Sequence, residues 1–121
     1  MEKAALGVLI KVVDLELCRS FYKNVLELGE PLADSSFGCE FLLGSEGCLI
    51  LEKVDKETLP PGKKKEGILW VLRSISADKL EENLRKYGYA PEMTPYLCWG
   101  IVFCRCKDPE GNPFLVFSEE N

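Results

Sequence analysis

Slid along itself until Gly7 falls on Leu69, the chain repeats one plan: an alternating apolar strand, a capped helix, then three short strands. In that register Lys11 falls on Arg73 and Asp14 on Ser76, and both Asp and Ser cap helices by accepting a backbone N–H. Side-chain identity between the halves is low, so the repeat lies in pattern and not in residues. A chain made of two strand–helix–strand–strand–strand units has few architectures open to it, since each sheet must bury one face beneath a helix. The class this predicts is α+β, with two tandem βαβββ modules.

In the first half, Leu6, Val8, Ile10 and Val12 share one face of a strand over 5–13, while Gly7, Leu9 and Lys11 share the other. Asp14 suits an N-cap, and Cys18, Phe21, Tyr22 and Val25 follow at helical spacing as one apolar stripe. Gly29-Glu30-Pro31 ends that helix, and strands follow over 31–35, 38–43 and 48–54. Residues 55–67 contain Pro60-Pro61-Gly62 and Lys63-Lys64-Lys65, have neither periodicity, and read as a solvated linker. The second half opens with a strand over Ile68–Arg73. Ser76 then caps a helix whose stripe is Ala77, Leu80, Leu84 and Tyr87, stopped by Gly88. Strands over 91–97, 100–107 and 113–118 complete it. The whole reads as one domain, with module 1 over about 1–54 and module 2 over about 68–121.

Asp108-Pro109-Glu110-Gly111-Asn112 joins the last two strands. Asp accepts hydrogen bonds from nearby backbone, Pro109 presets φ, and Gly111 or Asn112 can take the left-handed conformation. An Asp-Pro-x-Gly-Asn turn feeding a short apolar strand resembles the closing hairpin of the glyoxalase/bleomycin-resistance/extradiol-dioxygenase superfamily, the vicinal oxygen chelate fold. A second stretch, Val13–Leu26, with an Asp opening a helix and Phe21-Tyr22 farther on, is similar to that family's first strand-to-helix module. The two marks stand in the family's order in a chain of family length. The resemblance implies that the two modules curl into a cup-shaped mixed sheet with the helices outside.

It also implies where chemistry would sit. Metal enzymes of the family hold one divalent ion at the cup floor, usually through two histidines and one or two glutamates. Carried onto this chain by its motifs, those positions are Gly7, Leu69, Leu115 and a fourth in the strand 48–54, Leu51 in a simple register or Glu52 if it slips by one. The chain has no histidine at all. Glycine and leucine offer no donor, and one carboxylate is short of the three protein ligands a catalytic ion needs. No metal and no other cofactor is therefore expected.

Cys104 and Cys106 share a strand face, but the parity that points Leu115 into the cup points Phe103, Arg105 and Lys107 there too. It turns both thiols toward the helices. They read as small core residues. Cys98, beside Trp99, is the one thiol to test as a nucleophile. Trp70 alternates with Ile68 onto the helix-facing side; for Trp99 a cavity rim, a dimer contact and a core position all stay open.

What the expected cup retains is a pattern of sign. Lys11 and Arg73 occupy equivalent positions, Arg105 faces the same space, and Lys53 is a further candidate. Leu9, Leu51, Leu69, Val71, Phe103, Leu115 and Phe117 would supply apolar walls. Cations converging on an apolar cleft favour an anionic ligand. The leading expectation is thus a metal-free binding protein of the bleomycin-resistance kind, holding a small apolar anion. Two alternatives stand beside it. One is a glyoxalase-like lyase or isomerase, of lactoylglutathione-lyase type, with an atypical metal site or none and Glu52 or Glu40 as base. The other is a degenerate structural or regulatory member whose cup is filled by leucine.

Composition bounds the partners. The formal net charge is −5 over 121 residues with no long basic tract, which excludes a nucleic-acid footprint. No run approaches a membrane span. The apolar run Ala4–Ile10 is short and ends at Lys11, reading as a first strand and not a signal peptide. Six cysteines without a secretory signal suggest reduced thiols in a cytoplasm. A homodimer is expected from the resemblance alone.

Overall fold

The computed structural model describes residues 6–58 and 69–118. Module 1 consists of β1 (Leu6–Val12), α1 (Leu15–Ser20) continued by a π-helical turn (Phe21–Val25), β2 (Ala33–Asp34), β3 (Gly38–Leu43) and β4 (Gly47–Lys53). A short 3-10 turn follows at Lys56–Thr58. Module 2 consists of β5 (Val71–Ser76), α2 (Ala77–Lys86), β6 (Thr94–Cys98), β7 (Ile101–Lys107) and β8 (Pro113–Phe117). Each module forms its own mixed four-stranded sheet, ordered β1-β4-β3-β2 and β5-β8-β7-β6. In each, the strand before the helix pairs in parallel with the last strand, and the others pair antiparallel. The expected order recurs in both halves. Ile68 and linker residues 59–67, Lys63-Lys64-Lys65 among them, lie outside the described residues.

The caps form as the sequence predicts. Asp14 Oδ1 accepts from the Leu17 N–H and Ser76 Oγ from the Lys79 N–H, each satisfying a free first-turn amide. Several boundaries move. β5 begins at Val71 and runs into Ser76, so the same residue ends the strand and caps α2. The strand expected over 31–35 shrinks to Ala33–Asp34.

The stripe of α1 is buried, but residues 21–25 wind as a π turn in which the Leu26 N–H reaches back to the Phe21 carbonyl. This wider turn turns adjacent residues inward together: Phe21, Tyr22, Val25 and Leu26 are all buried. In α2, Tyr87 is a correction. It lies past the last helical residue and is 45% exposed, while Asn83, 5% exposed, takes the inward place. Asn83 Nδ2 donates to the Val25 carbonyl and to Glu27 Oε2, so its burial leaves no donor unsatisfied.

One continuous core joins the helices to the inner faces of both sheets: Ile10, Val12, Phe41, Leu49 and Leu51 from one, Leu72, Cys106, Phe114 and Val116 from the other. Aromatic rings cross the seam between modules. Tyr22 stacks on Trp70 at 6.4 Å and Trp70 on Phe114 at 5.3 Å, so Trp70 faces the helices as expected.

The two stretches that carried the family resemblance meet in space. Tyr22 Oη donates to Asp108 Oδ2 at 2.8 Å inside the core. Asp108 Oδ1 also accepts from the amides of Glu110 and Asn112, and the Asn112 side chain donates to both oxygens. The Glu110 carboxylate reaches the other way, accepting from the N–H groups of Val13 and Asp14 at the β1–α1 corner. A charge buried like that of Asp108 is tolerable because its oxygens are saturated with donors. The turn of module 2 thereby fastens the corner of module 1.

Candidate functional sheet faces

Alternation along the strands assigns each residue to the helix-facing side or to its opposite, the cup-facing side. On module 1 the cup-facing side carries Gly7, Leu9 and Lys11 of β1. Parallel pairing sets these beside Cys48, Ile50 and Glu52 of β4. Glu40 and Leu42 of β3 fall on the same side, opposite Ile50 and Cys48. On module 2 it carries Val71, Arg73, Phe103, Arg105, Leu115 and Phe117. Val71 and Arg105 both pair with Leu115, and Phe103 pairs with Phe117.

Leu51 is therefore a correction. It pairs with Ile10, is 0% exposed and belongs to the helix-side core. Its neighbour Glu52, opposite Lys11, is the β4 residue that faces the cup. Lys53 is likewise corrected, since alternation puts it on the side of Val12. Leu69 lies just ahead of β5 and is half-buried. Cys104 and Cys106 pack with the helices as expected; burial and the neighbouring Cys104 push the Cys106 thiol up to about 12, an inert sulfhydryl.

The cup-facing floor has buried ground of its own. Cys48, Phe103 and Leu115 are buried apolar residues that do not belong to the helix-side core. Phe103 and Phe117 lie 5.7 Å apart, and the Arg73 guanidinium sits 4.5 Å over the Phe117 ring. That stacking holds the fork of Arg73 against an apolar base.

Module 1 differs. The Cys48 thiol hydrogen-bonds Glu40, and burial first, then that carboxylate, raise its pKa. A Cβ on Gly7 would come within 2.8 Å of Cys48 Sγ, so the sulfur fills the space a side chain there would need.

The metal ion typical of the resembled family does not fit these residues. Gly7, Leu69 and Leu115 supply no donor, and Cys48 blocks a larger residue at position 7. Glu52 is a single carboxylate, and among the described residues no three His, Cys, Asp or Glu side chains converge.

The expected set is not gathered in one cavity. A groove of about 470 Å³ on module 1 is lined by Leu9, Phe37, Glu40, Ile50 and Glu52. A cleft of about 590 Å³ between the modules holds Leu42, Val71 and Arg73. A third hollow of about 270 Å³, on the helix side by Phe21, Leu80 and Tyr89, contains none of the expected site residues. Phe37 and Ile50 went unrecognised in the sequence. Once Glu52 is turned to the cup, alternation alone brings Ile50 and Cys48 with it. No helix among the described residues is long and apolar enough to cross a membrane.

No protein-family model and no curated protein matches the sequence. Solved structures do match along nearly the full chain. A glyoxalase/bleomycin resistance protein from Catenulispora acidiphila superposes with a TM-score of 0.66 at 15% identity, over 96% of this chain and 98% of its own. A lactoylglutathione lyase from Agrobacterium tumefaciens gives 0.63 at 16% identity, covering 98% and 96%. An antibiotic binding protein from a Streptomyces species gives 0.64 at 20% identity, also covering 98% and 96%. The paired βαβββ modules, the Tyr22–Asp108 seam and these superpositions agree: the chain has the fold of the glyoxalase/bleomycin-resistance/extradiol-dioxygenase superfamily.

Proposed function

We propose that this chain binds a small apolar anion on the cup-facing side of its sheets, without a metal ion, as one partner of a homodimer. The observation that carries the reading is the floor of module 2. Arg73 lies stacked on Phe117, and Arg105 stands opposite Leu115 on the same face, above buried Phe103. Two guanidinium groups on an apolar base suit a carboxylate or phosphate attached to a hydrophobic body. Binding without chemistry is supported by the lack of donors at positions 7, 69 and 115 and by the likeness to an antibiotic binding protein. Pairing of two copies is supported by apolar side chains left open on the cup-facing strands, among them Leu9, Leu42 and Ile101.

A thermal-shift screen of chelator-treated protein against aromatic and thioether carboxylates tests the binding reading. Ligands that bind only the native state raise the melting temperature. The rise is expected in the wild type and absent when Arg73→Gln and Arg105→Gln are combined. No rise with any carboxylate, or an equal rise in the double variant, contradicts it.

A further inference from the structure

The β6–β7 hairpin protrudes from the fold, and the reading above uses only its Ile101. Every residue from 94 to 102 is exposed. A strand pair packed on a body hides one face, because successive side chains point to opposite sides. Here both faces are open. Tyr96, Cys98 and Ile101 lie on one and Leu97 and Val102 on the other, with Trp99 98% exposed at the tip. No residue of the stretch is charged, and the nearest charges along the chain are Glu92 and Arg105.

The turn adds a cost. It has two residues between the paired Cys98 and Ile101, and φ is positive at both, +59° at Trp99 and +81° at Gly100. Gly or Asn adopts such a turn readily, and a bulky aromatic residue does not. Among the described residues the Trp99 indole makes no hydrogen bond or ring contact that would offset the strain.

Whatever covers such a tip must meet it on all sides. A sheet recruits a partner strand along its edge, which does not answer here. β6 is the outer strand, and a two-residue turn makes Cys98–Ile101 a hydrogen-bonded pair, so the backbones of Pro95 and Leu97 point outward. Pro95 has no N–H to offer, and the edge is blunted. A fluid apolar phase surrounds a protrusion instead of facing one side of it. We infer that the hairpin tip inserts into the surface layer of a lipid bilayer. Trp and Tyr favour that layer, where the ring is in apolar surroundings and its N–H or O–H stays wet. Length agrees. From Tyr96 to Trp99 the strand rises about 10 Å, and apolar groups lying in the interface reach about 5–10 Å deep. The outward amide of Leu97 holds the tip at that level, since the hydrocarbon interior would leave it unsatisfied. Charge selects the lipid. An uncharged tip on a chain of net charge −5 is repelled by an anionic leaflet and suits a zwitterionic one.

Flotation of the full chain with phosphatidylcholine vesicles tests this, with tryptophan emission as a second readout. The wild type is expected to float with the vesicles. Its emission shifts to the blue and is quenched by lipids brominated near the headgroup, while Trp70, stacked in the core, gives a constant background. Trp99→Gly removes the indole and relieves the positive-φ strain, so its fold is at least as stable as the wild type. It lowers the partition coefficient by about tenfold or more, the worth of one large apolar side chain. Leu97→Glu sets a charge in the layer and lowers it at least as far. No flotation at any lipid concentration overturns the inference, and so does equal flotation of both variants. Binding confined to anionic vesicles and lost in salt also overturns it, since that is the signature of another surface. Emission that is already blue-shifted without lipid, and that dilution of the protein reverses, overturns it in favour of a protein contact. None of these outcomes touches Arg73 or Arg105, so the carboxylate screen stands as a separate test.

Discussion

On module 1, the face turned away from the helices carries Glu40, Cys48 and Glu52, with Lys11 opposite Glu52, around Leu9 and Ile50; on module 2 the same face carries Arg73 and Arg105 around Phe103, Leu115 and Phe117. The helix-facing sides show no such contrast. Leu49, Leu51 and Phe41 on one sheet and Leu72, Phe114 and Val116 on the other are uniformly apolar and share one core. One face of each sheet thus fixes the fold and repeats, while the other is free to differ in sign. Such a division lets one architecture carry unlike surfaces on the face that packing does not constrain.

The largest effect should come from the seam that makes two modules one body. Asp108→Ala strands the Tyr22 hydroxyl and the turn amides, and is expected to cost roughly 3–5 kcal/mol in urea unfolding. Tyr22→Phe removes a single donor and should cost about 1–2 kcal/mol. Modules that stand independently would instead melt apart in two steps, with little change from either substitution.

Next comes the contrast between faces. Leu51→Ala, in the core, should cost about 2–5 kcal/mol, whereas Leu9→Ala, on the cup-facing side, should stay within about 0.5 kcal/mol. Similar losses for the two would erase the assignment of Leu51 to the helices.

A smaller effect should appear with pH. Burial raises the thiols of Cys18, Cys39 and Cys48 in module 1 and of Cys106 in module 2. A thiol raised by folding keeps its proton while the unfolded chain loses it. Its stabilisation is intact below the ordinary value of 9.0 and fades as pH climbs toward about 12 for Cys106. Urea unfolding at about pH 8 and about pH 10.5 should show lower stability at the higher pH, with a shallower fall in Cys106→Ala. A pH-independent midpoint would contradict these burials.

Local pattern was legible wherever one residue type had to alternate with another. The two faces of β1, the caps Asp14 and Ser76, and the inward turn of Trp70, Cys104 and Cys106 all follow from short-range period or side-chain chemistry. The register of β4 did not, because Cys48-Leu49-Ile50-Leu51 is apolar on both sides and has no period to read. Its parity is set by parallel pairing with distant β1. Asn83 was missed because a polar residue is buried there only by acceptors on another element, Val25 and Glu27. The family marks at 13–26 and 108–112 were visible, but their hydrogen bonds to one another are a tertiary fact that no local rule gives.

Calorimetric titration of chelator-treated protein with the tightest carboxylate from the screen separates anion binding by the two arginines from binding through a metal ion. Saturable binding is expected that added zinc or nickel leaves unchanged and that Arg73→Gln with Arg105→Gln abolishes. Binding that appears only after a divalent metal is restored, or that survives loss of both arginines, would contradict it.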